Sequence, residues 1–327
     1  MKAQSLAMAA MVAGTCGTAS VAATPSEEAR TYFDTAVTIL RTHHLDRASV
    51  DWEKAVPGAE ALIVEAKSRR DTYPAIKALL EAIGNRHSHF LPPERVPARR
   101  EADGAEGGIA SPLPDVPVPS VSIDDRVGMV RLPNFFGTPE EAEAYETVVR
   151  EGLSEVAGEA SCGWLVDLSA NPGGNMWPML NAIDPIIGTG PFGWFVTGEG
   201  EVPWGRTDSG RIEWRIQSGT TSNTILPNAD GRIAVVIGPE TMSSGEMVAA
   251  ALTGSERFRR FGQPTGNYST ANQPFPMSDG AWLVVTVSTV RDRSGAMIDG
   301  AIEPDVDVPM EEAEAAALAW LRESCAS

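Results

Sequence analysis

Ile233-Ala234-Val235-Val236-Ile237, followed after a short break by Thr241-Met242-Ser243-Ser244-Gly245-Glu246-Met247, is the stretch on which the fold turns. The first run is continuous, apolar and mostly β-branched, so it reads as a buried strand, and Met247 to Leu252 reads as helix. A serine placed where a strand passes into a helix can present its hydroxyl at the positive end of that helix. The backbone N–H of the next residue can then face a developing oxyanion. Serines also cap helices with no catalytic role, and on this segment alone capping is the favoured reading.

Working outward, strand and helix patterns alternate. Val127 to Leu132 and Trp164 to Leu168 read as strands, and Met176 to Ile187 as a helix. Thr138-Pro139-Glu140-Glu141 supplies an N-cap, a proline at the first helical position and a capping-box glutamate for a helix to about Val156. Trp282 to Val290 alternates as a strand between turn signals. Alternation of this kind means an α/β core with a largely parallel sheet. Upstream, Ala29, Phe33, Val37 and Leu40 share one helical face, and Ile76, Leu79, Leu80 and Ile83 share another before Gly84. The expected organisation is a leader over 1–23, a helical subdomain over 24–92 and a Pro-rich linker over 93–125. An α/β unit over 126–312 and a C-terminal helix over 313–327 follow. Residues 189–230 read as an irregular insertion or hairpin lid.

The chain has 327 residues and a formal net charge of -18. That charge argues against nucleic acid, which needs clustered Lys and Arg, and against anionic membrane surfaces. If a substrate cleft shares the sign, it favours cationic peptides. Lys2, the apolar run Leu6 to Val12 and the small residues up to Ala23 have the layout of a secretory leader. Gly14 and Thr15 make a poor lipid-attachment box for Cys16, so periplasmic or secreted release is expected. No later stretch is long and apolar enough for an integral membrane span. Cys162 and Cys325 would remain after leader removal. Spacing does not pair them, and Cys162, just before an apolar strand, is expected as a small buried thiol.

Two further stretches carry chemistry. Asp167-Leu168-Ser169-Ala170-Asn171-Pro172-Gly173-Gly174-Asn175 follows a strand, and its adjacent glycines allow close backbone approach and free N–H groups. A plain βα turn would look the same. His87, in Asn85-Arg86-His87-Ser88-His89, is the candidate base for a serine near neutral pH. A metal held by His87 and His89 would need a further ligand that no Cys or His cluster supplies, so no metal and no cofactor is expected. His43 and His44 are read as a surface helix end.

Taken together and in order, these stretches resemble the tail-specific (C-terminal processing) serine proteases, a family that includes the tricorn core and nisin-resistance proteases. The family's D-x-H-S stretch is matched by Asn85-Arg86-His87-Ser88, and its "GYIRIPSF" strand by Val127 to Phe135. D-L-R-x-N-x-G-G is matched by Asp167 to Gly174, and T-A-S-S-A-E-M by Thr241 to Met247. Gly262-Gln263-Pro264-Thr265 and Pro304-Asp305-Val306 match its G-x-x-T and P-D-V elements.

The resemblance implies a crotonase/ClpP-like ββα-superhelix core with an N-terminal helical subdomain. It implies a peptide or protein substrate, Ser243 as nucleophile and His87 as base. Backbone N–H groups of Ser244 with Gly173 or Gly174 would form the oxyanion hole. Many members pair the serine with a lysine, which would fall near Tyr268, but no lysine follows Lys77. The residues between Phe90 and Val127 are too few for a PDZ domain. Asp299 and Glu303 are the candidates for an acid that orients the imidazole, and a solvated turn is the plain reading of both. With His87 carried on the helical subdomain across an inter-domain cleft, domain closure could complete the pair, and the resting enzyme could hold the two apart. Asn85 and Ser169 replace the acid and the arginine of the family pattern, which keeps open a non-catalytic peptide-binding homologue. A crotonase-like acyl-transfer or enolate enzyme is the alternative from a different class.

Overall fold

The computed structural model describes residues 23–96, 118–214, 226, 231–323 and 325. The leader up to residue 22 with Cys16, the middle of the Pro-rich stretch, and residues 215–225 and 227–230 of the expected lid lie outside the described residues.

The described chain opens with α1 (Glu27–His43), α2 (Trp52–Glu60) and α3 (Tyr73–Ile83). Then come β1 (His89–Leu91), β2 (Ser120–Asp124), β3 (Val127–Arg131), α4 (Pro139–Val156), β4 (Trp164–Asp167), α5 (Met176–Ala182) and α6 (Asp184–Ile187). The remainder holds β5 (Pro191–Thr197), β6 (Gly200–Arg206), β7 (Ile212–Trp214), β8 (Ile233–Ile237), α7 (Ser244–Ala251) and β9 (Phe258–Gly262). Last are β10 (Ala271–Pro276), β11 (Trp282–Arg291), β12 (Met297–Ile298), β13 (Val306–Asp307) and α8 (Met310–Glu323).

Two sheets result. One runs β13-β9-β8-β4-β3-β2 and is parallel except where β2 meets β3. The other runs β1-β11-β5-β6-β7, with β10 and β12 also on β11, and every pairing is antiparallel. The expected parallel sheet is therefore half of the answer. The described part of the expected irregular insertion is the ordered meander β5–β6–β7, whose alternation is masked in sequence by Gly193, Gly198, Gly200 and Pro203. Ser120–Asp124, assigned to the linker, is a strand as well. Its side chains are mostly exposed, so backbone pairing with β3 rather than apolar burial holds it. The single helix expected over Met176 to Ile187 breaks at Ile183, where Pro185 lacks the N–H needed to continue it.

Local chemistry explains the elements that place the site. Ser26 caps α1 by accepting the Ala29 N–H at 3.2 Å, and Glu27 and Glu28 sit in its first turn, where the helix dipole favours carboxylates. Thr138 and Glu141 form the expected capping box at α4. The stripe Ala29, Phe33, Val37 and Leu40 is buried with Ile76, Leu79 and Leu80, and that core continues into Phe90, Met277, Leu283 and Val285. The helices are thus layered on the β10–β11 face rather than set apart across a cleft, and no closure is needed to bring His87 to the serine. A second core lies where Val149, Leu153, Met179 and Val248 meet the strands, and a third where Ala313, Ala317 and Leu321 of α8 cover Leu165 and Val236. Cys162 and Cys325 form a disulfide, with Cα atoms 5.1 Å apart, which corrects the expectation of a buried thiol. His44 is fully buried, not part of a surface helix end; its Nδ1 accepts the Asp46 N–H at 3.0 Å.

Candidate active site

Gly84 ends α3 in the left-handed region, at φ 81°, a conformation that a β-carbon disfavours. The chain then turns around Asn85, whose Oδ1 accepts the N–H groups of His87 and Ser88, each at 3.0 Å. The Thr286 hydroxyl of β11 lies 3.0 Å from the same oxygen, and Asn272 Nδ2 of β10 donates to the His87 carbonyl at 2.9 Å. A carbonyl oxygen is all that this turn requires, so asparagine does the acceptor work of the family's acid.

The serine arrives from the other sheet. After β8, Thr241 donates its hydroxyl to the Leu168 carbonyl at 2.8 Å, and the Met242 N–H reaches the Asn171 carbonyl at 2.9 Å. Ser243 then adopts φ 52° and ψ -116°, a sparsely populated backbone conformation held by these surrounding bonds. Glu246, fully buried one turn into α7, accepts the Ser243 N–H at 2.8 Å, the Thr265 hydroxyl at 2.5 Å and the Tyr268 N–H at 2.9 Å. Burial raises the Glu246 pKa, and those hydrogen bonds oppose the shift.

The two segments meet at His87. Its Nε2 lies 2.8 Å from Ser243 Oγ, and its Nδ1 lies 2.8 Å from Thr270 Oγ1. Burial, with a smaller contribution from His89, lowers the imidazole pKa to about 4. The ring is therefore neutral at pH 7 and able to accept a proton. Tyr268, at the position where the resemblance expects a lysine in many members, packs edge-on against the imidazole with centroids 5.4 Å apart.

Asp299 and Glu303 do not reach the imidazole. Both are exposed, and neither is among its hydrogen-bond partners or the charges that shift it. Their segment does come near the turn that carries Ser243, the serine elbow, but through backbone: the Ile302 N–H donates to Thr265 Oγ1 at 2.8 Å, and Ser269 donates to the Gly300 carbonyl at 2.6 Å.

The glycine loop packs directly on the serine. A β-carbon on Gly173 would lie 2.8 Å from Ser243 Cβ, and one on Gly174 would lie 2.0 Å from the Phe135 carbonyl oxygen. The Gly173 N–H is engaged by Asn171 Oδ1 at 3.0 Å. The N–H groups of Gly174 and of Ser244, the first residue of α7, have no acceptor among the described residues. Ser244 ties the loop down by donating its hydroxyl to the Gly174 carbonyl at 2.7 Å. At the position of the family's arginine, Ser169 donates its N–H and its hydroxyl to Asp167 Oδ1, at 2.9 and 2.6 Å.

Thr270, Glu246 and Asn171 are the site residues that sequence reading misses. Glu246 and Asn171 lie inside the quoted motifs, whereas Thr270 has no signal around it. Among the described residues, no group of three or more His, Cys, Asp or Glu is placed to hold a metal ion, and no helix is long and apolar enough to cross a membrane.

Comparison with known proteins gives this geometry a context. The nisin-resistance protein of Lactococcus lactis subsp. lactis is 25% identical over 261 residues, covering 79% of this chain and 76% of that protein. A lipoprotein from Streptococcus agalactiae superposes with a TM-score of 0.70 at 21% identity, over 90% of this chain and 96% of that one. The photosystem II D1 C-terminal processing protease superposes with a TM-score of 0.59 at 16% identity, over 88% and 94%. These likenesses carry the layered α/β fold, here without a PDZ domain among the described residues. The model of peptidase family S41 matches residues 126–308, which take in the elbow, the glycine loop and the strands that bring Thr270 to the imidazole. That match spans more than half of the chain, and on that ground the protein belongs to peptidase family S41.

Proposed function

We propose that this chain is an exported serine peptidase that cleaves peptide bonds through Ser243 and His87. Membership of a serine peptidase family supports the reaction class, and the observation that carries the residues is the 2.8 Å approach of His87 Nε2 to Ser243 Oγ. With the Nδ1 proton directed at Thr270, the Nε2 lone pair takes the hydroxyl proton as Oγ attacks the substrate carbonyl. The N–H groups of Ser244 and Gly174 receive the oxyanion, and His87 returns the proton to the leaving nitrogen. Gly173 serves this site by lacking a side chain rather than by donating.

The departures from the family pattern do not argue for an inactive homologue. Asn85 keeps the acceptor that shapes the histidine turn, and the Ser169 hydroxyl satisfies Asp167. The leader-like N-terminus and the Cys162–Cys325 disulfide both favour an oxidising compartment outside the cytoplasm. Likeness to a protein named for nisin resistance favours a peptide as substrate.

Intact-mass analysis after treatment with a fluorophosphonate tests the reading. One adduct is expected on the wild type and none on Ser243→Ala, with His87→Ala slowed by orders of magnitude. An adduct that persists in Ser243→Ala would move the nucleophile elsewhere.

A further inference from the structure

We infer that Glu246 is the positioning residue of this centre: one oxygen of its buried carboxyl fixes the spacing between the nucleophile and the loop that grips the base. The inference rests on the Ser243–His87 reading above and adds to it a residue that acts through others.

Three carboxylates of the described residues are buried, those of Glu146, Asp184 and Glu246. Glu146 pairs with Arg211 and Asp184 with Arg206, which offsets the cost of taking a charge out of water. Among the described residues no ion pair involves Glu246, although it is 0% exposed. A set of donors holds it instead. Its Oε2 accepts two N–H groups, from Ser243 at 2.8 Å and from Tyr268 at 2.9 Å, and its Oε1 accepts the Thr265 hydroxyl at 2.5 Å. The first turn of α7 is also a favourable place for a carboxylate.

The two N–H groups on Oε2 belong to the two halves of the site. Ser243 carries the nucleophile, in its sparsely populated conformation at φ 52°. Tyr268 belongs to the loop that grips the imidazole. Its ring meets the imidazole edge-on, and two residues further Thr270 Oγ1 lies 2.8 Å from Nδ1. The chain turns toward Glu246 at Asn267, whose φ of 63° is a left-handed position that asparagine tolerates. On either side the loop is tied elsewhere, by the Gly266 N–H to the Thr241 carbonyl at 2.9 Å and by the Ser269 hydroxyl to the Gly300 carbonyl at 2.6 Å. The Tyr268 bond is the one that shares its acceptor with the nucleophile. Glu246, Ser243, His87 and Tyr268 thus close a circuit of contacts, and moving the shared oxygen moves Ser243 against His87.

The oxygen, not the charge, does the holding. A proton on the carboxyl sits on Oε1, toward Thr265, and leaves Oε2 an acceptor, and the amide of glutamine can do the same. Aspartate keeps the charge but withdraws the oxygen by about 1.5 Å, one carbon–carbon bond. The titratable or charged groups around the imidazole are His89 and Arg86 of its own segment, Tyr268 beside it and Glu246 beneath the serine, with Asp46 behind Asn85. Glu246→Asp leaves every one of those charges in place. Releasing Tyr268 would instead admit water to a ring whose pKa burial lowers to about 4.

Two measurements test this, each made below the melting temperature of the variant. One is the rate of fluorophosphonate labelling across the acid range. The other is the titration of the His87 imidazole by NMR, assigned with His87→Ala. Glu246→Asp is expected to label at least about tenfold more slowly. The fall of its rate at low pH, and its imidazole titration, should both move up from about 4 toward the ordinary histidine range. Glu246→Gln should recover most of the rate, to within about threefold of the wild type, with the titration still near 4. Equal loss in the two variants would assign the effect to the charge and overturn the inference. Wild-type labelling by Glu246→Asp would also overturn it, as would slower labelling with the titration unmoved. If Glu246→Asp does not fold, Glu246→Gln decides, and a loss of more than about tenfold there overturns the inference. A titration that moves in Glu246→Asp, with no label on the wild type, would keep the positioning role and sink the peptidase reading. Label on the wild type with no difference between variants would sink this inference alone.

Discussion

Thr270 Oγ1 lies 2.8 Å from His87 Nδ1, on the edge of the imidazole opposite the one that meets Ser243. A neutral hydroxyl thus stands where a Ser-His centre commonly carries a carboxylate. It can hold the ring in the productive tautomer, but it offers the imidazolium no opposite charge.

Replacing Thr270 by valine keeps the shape and removes the acceptor. Fluorophosphonate inactivation is expected to slow about five- to tenfold, the worth of one net hydrogen bond of about 1 kcal/mol. Thr270→Ser should restore most of the rate. Asp299→Asn and Glu303→Gln, on exposed carboxylates away from the ring, should change it by less than about twofold. A larger loss in either of these than in Thr270→Val would return the orienting role to an acid.

The acid limb of activity follows from burial of the imidazole. On the proposed mechanism only neutral His87 takes the serine proton, and burial lowers its pKa to about 4. The rate should be flat from neutrality down and fall tenfold per pH unit only as pH drops through about 4. The same shift makes stability pH-dependent. Between pH 6.5 and about 4 the unfolded chain binds the proton and the folded one does not, so stability rises with pH across that window and is flat above it. A limb near 6.5 in initial-rate profiles would mean that the ring is solvated in the working enzyme.

Gly245 tests which of two effects wins. Alanine exceeds glycine by about 1 kcal/mol inside a helix, and the family motif carries alanine here. A β-carbon at Gly245 would nevertheless lie 2.5 Å from the Asn171 carbonyl oxygen, which already accepts the Met242 N–H at 2.9 Å. Backbone gives way less readily than a side-chain tip, so Gly245→Ala should lose about 1–2 kcal/mol and slow serine labelling. A rise in Tm would show that the Asn171 loop yields.

The parts of this fold legible in sequence are those that burial dictates. Trp164–Val166 and Ile233–Ile237 stand out because strands covered on both faces have no polar positions. The α1 and α3 stripes stand out because one face of each helix is packed. Ser120–Asp124 and the β5–β7 meander do not, since they are held by backbone pairing through polar or Gly- and Pro-containing residues. The approach of Ser243 to His87 spans 156 residues and is visible only through the order of motifs. Thr270 is not legible at all. A threonine that shares one hydrogen bond with a residue 183 positions away looks like any other until the two sheets meet.

The Cys162–Cys325 disulfide closes a loop of 163 residues and pins the chain beyond α8 to the turn before β4. Thiol titration of the mature protein should find no free thiol before reduction. Cys162→Ala with Cys325→Ala should destabilise by about 2–4 kcal/mol. Because α8 covers one face of the parallel sheet and not the site, serine labelling at low temperature should be retained. Parallel loss of labelling and stability would tie the terminus to the site.

Asn85 carries the last test, because its two ends do different things. Its Oδ1 accepts from His87 and Ser88, while its Nδ2 donates to Asp46 at 3.3 Å. Asn85→Asp preserves the acceptor and so the turn, but places a negative charge two residues from the imidazole and beside Asp46. Opposite charge favours the imidazolium, so the acid limb should move up from about 4 toward the ordinary histidine range. Repulsion from Asp46 should make the variant slightly less stable at neutral pH, and less so in high salt. Asn85→Leu, which removes the acceptor, should collapse the turn and with it serine labelling. If Asn85→Asp left the limb at about 4, the charge would be screened from the ring, and burial alone would set the base strength of His87.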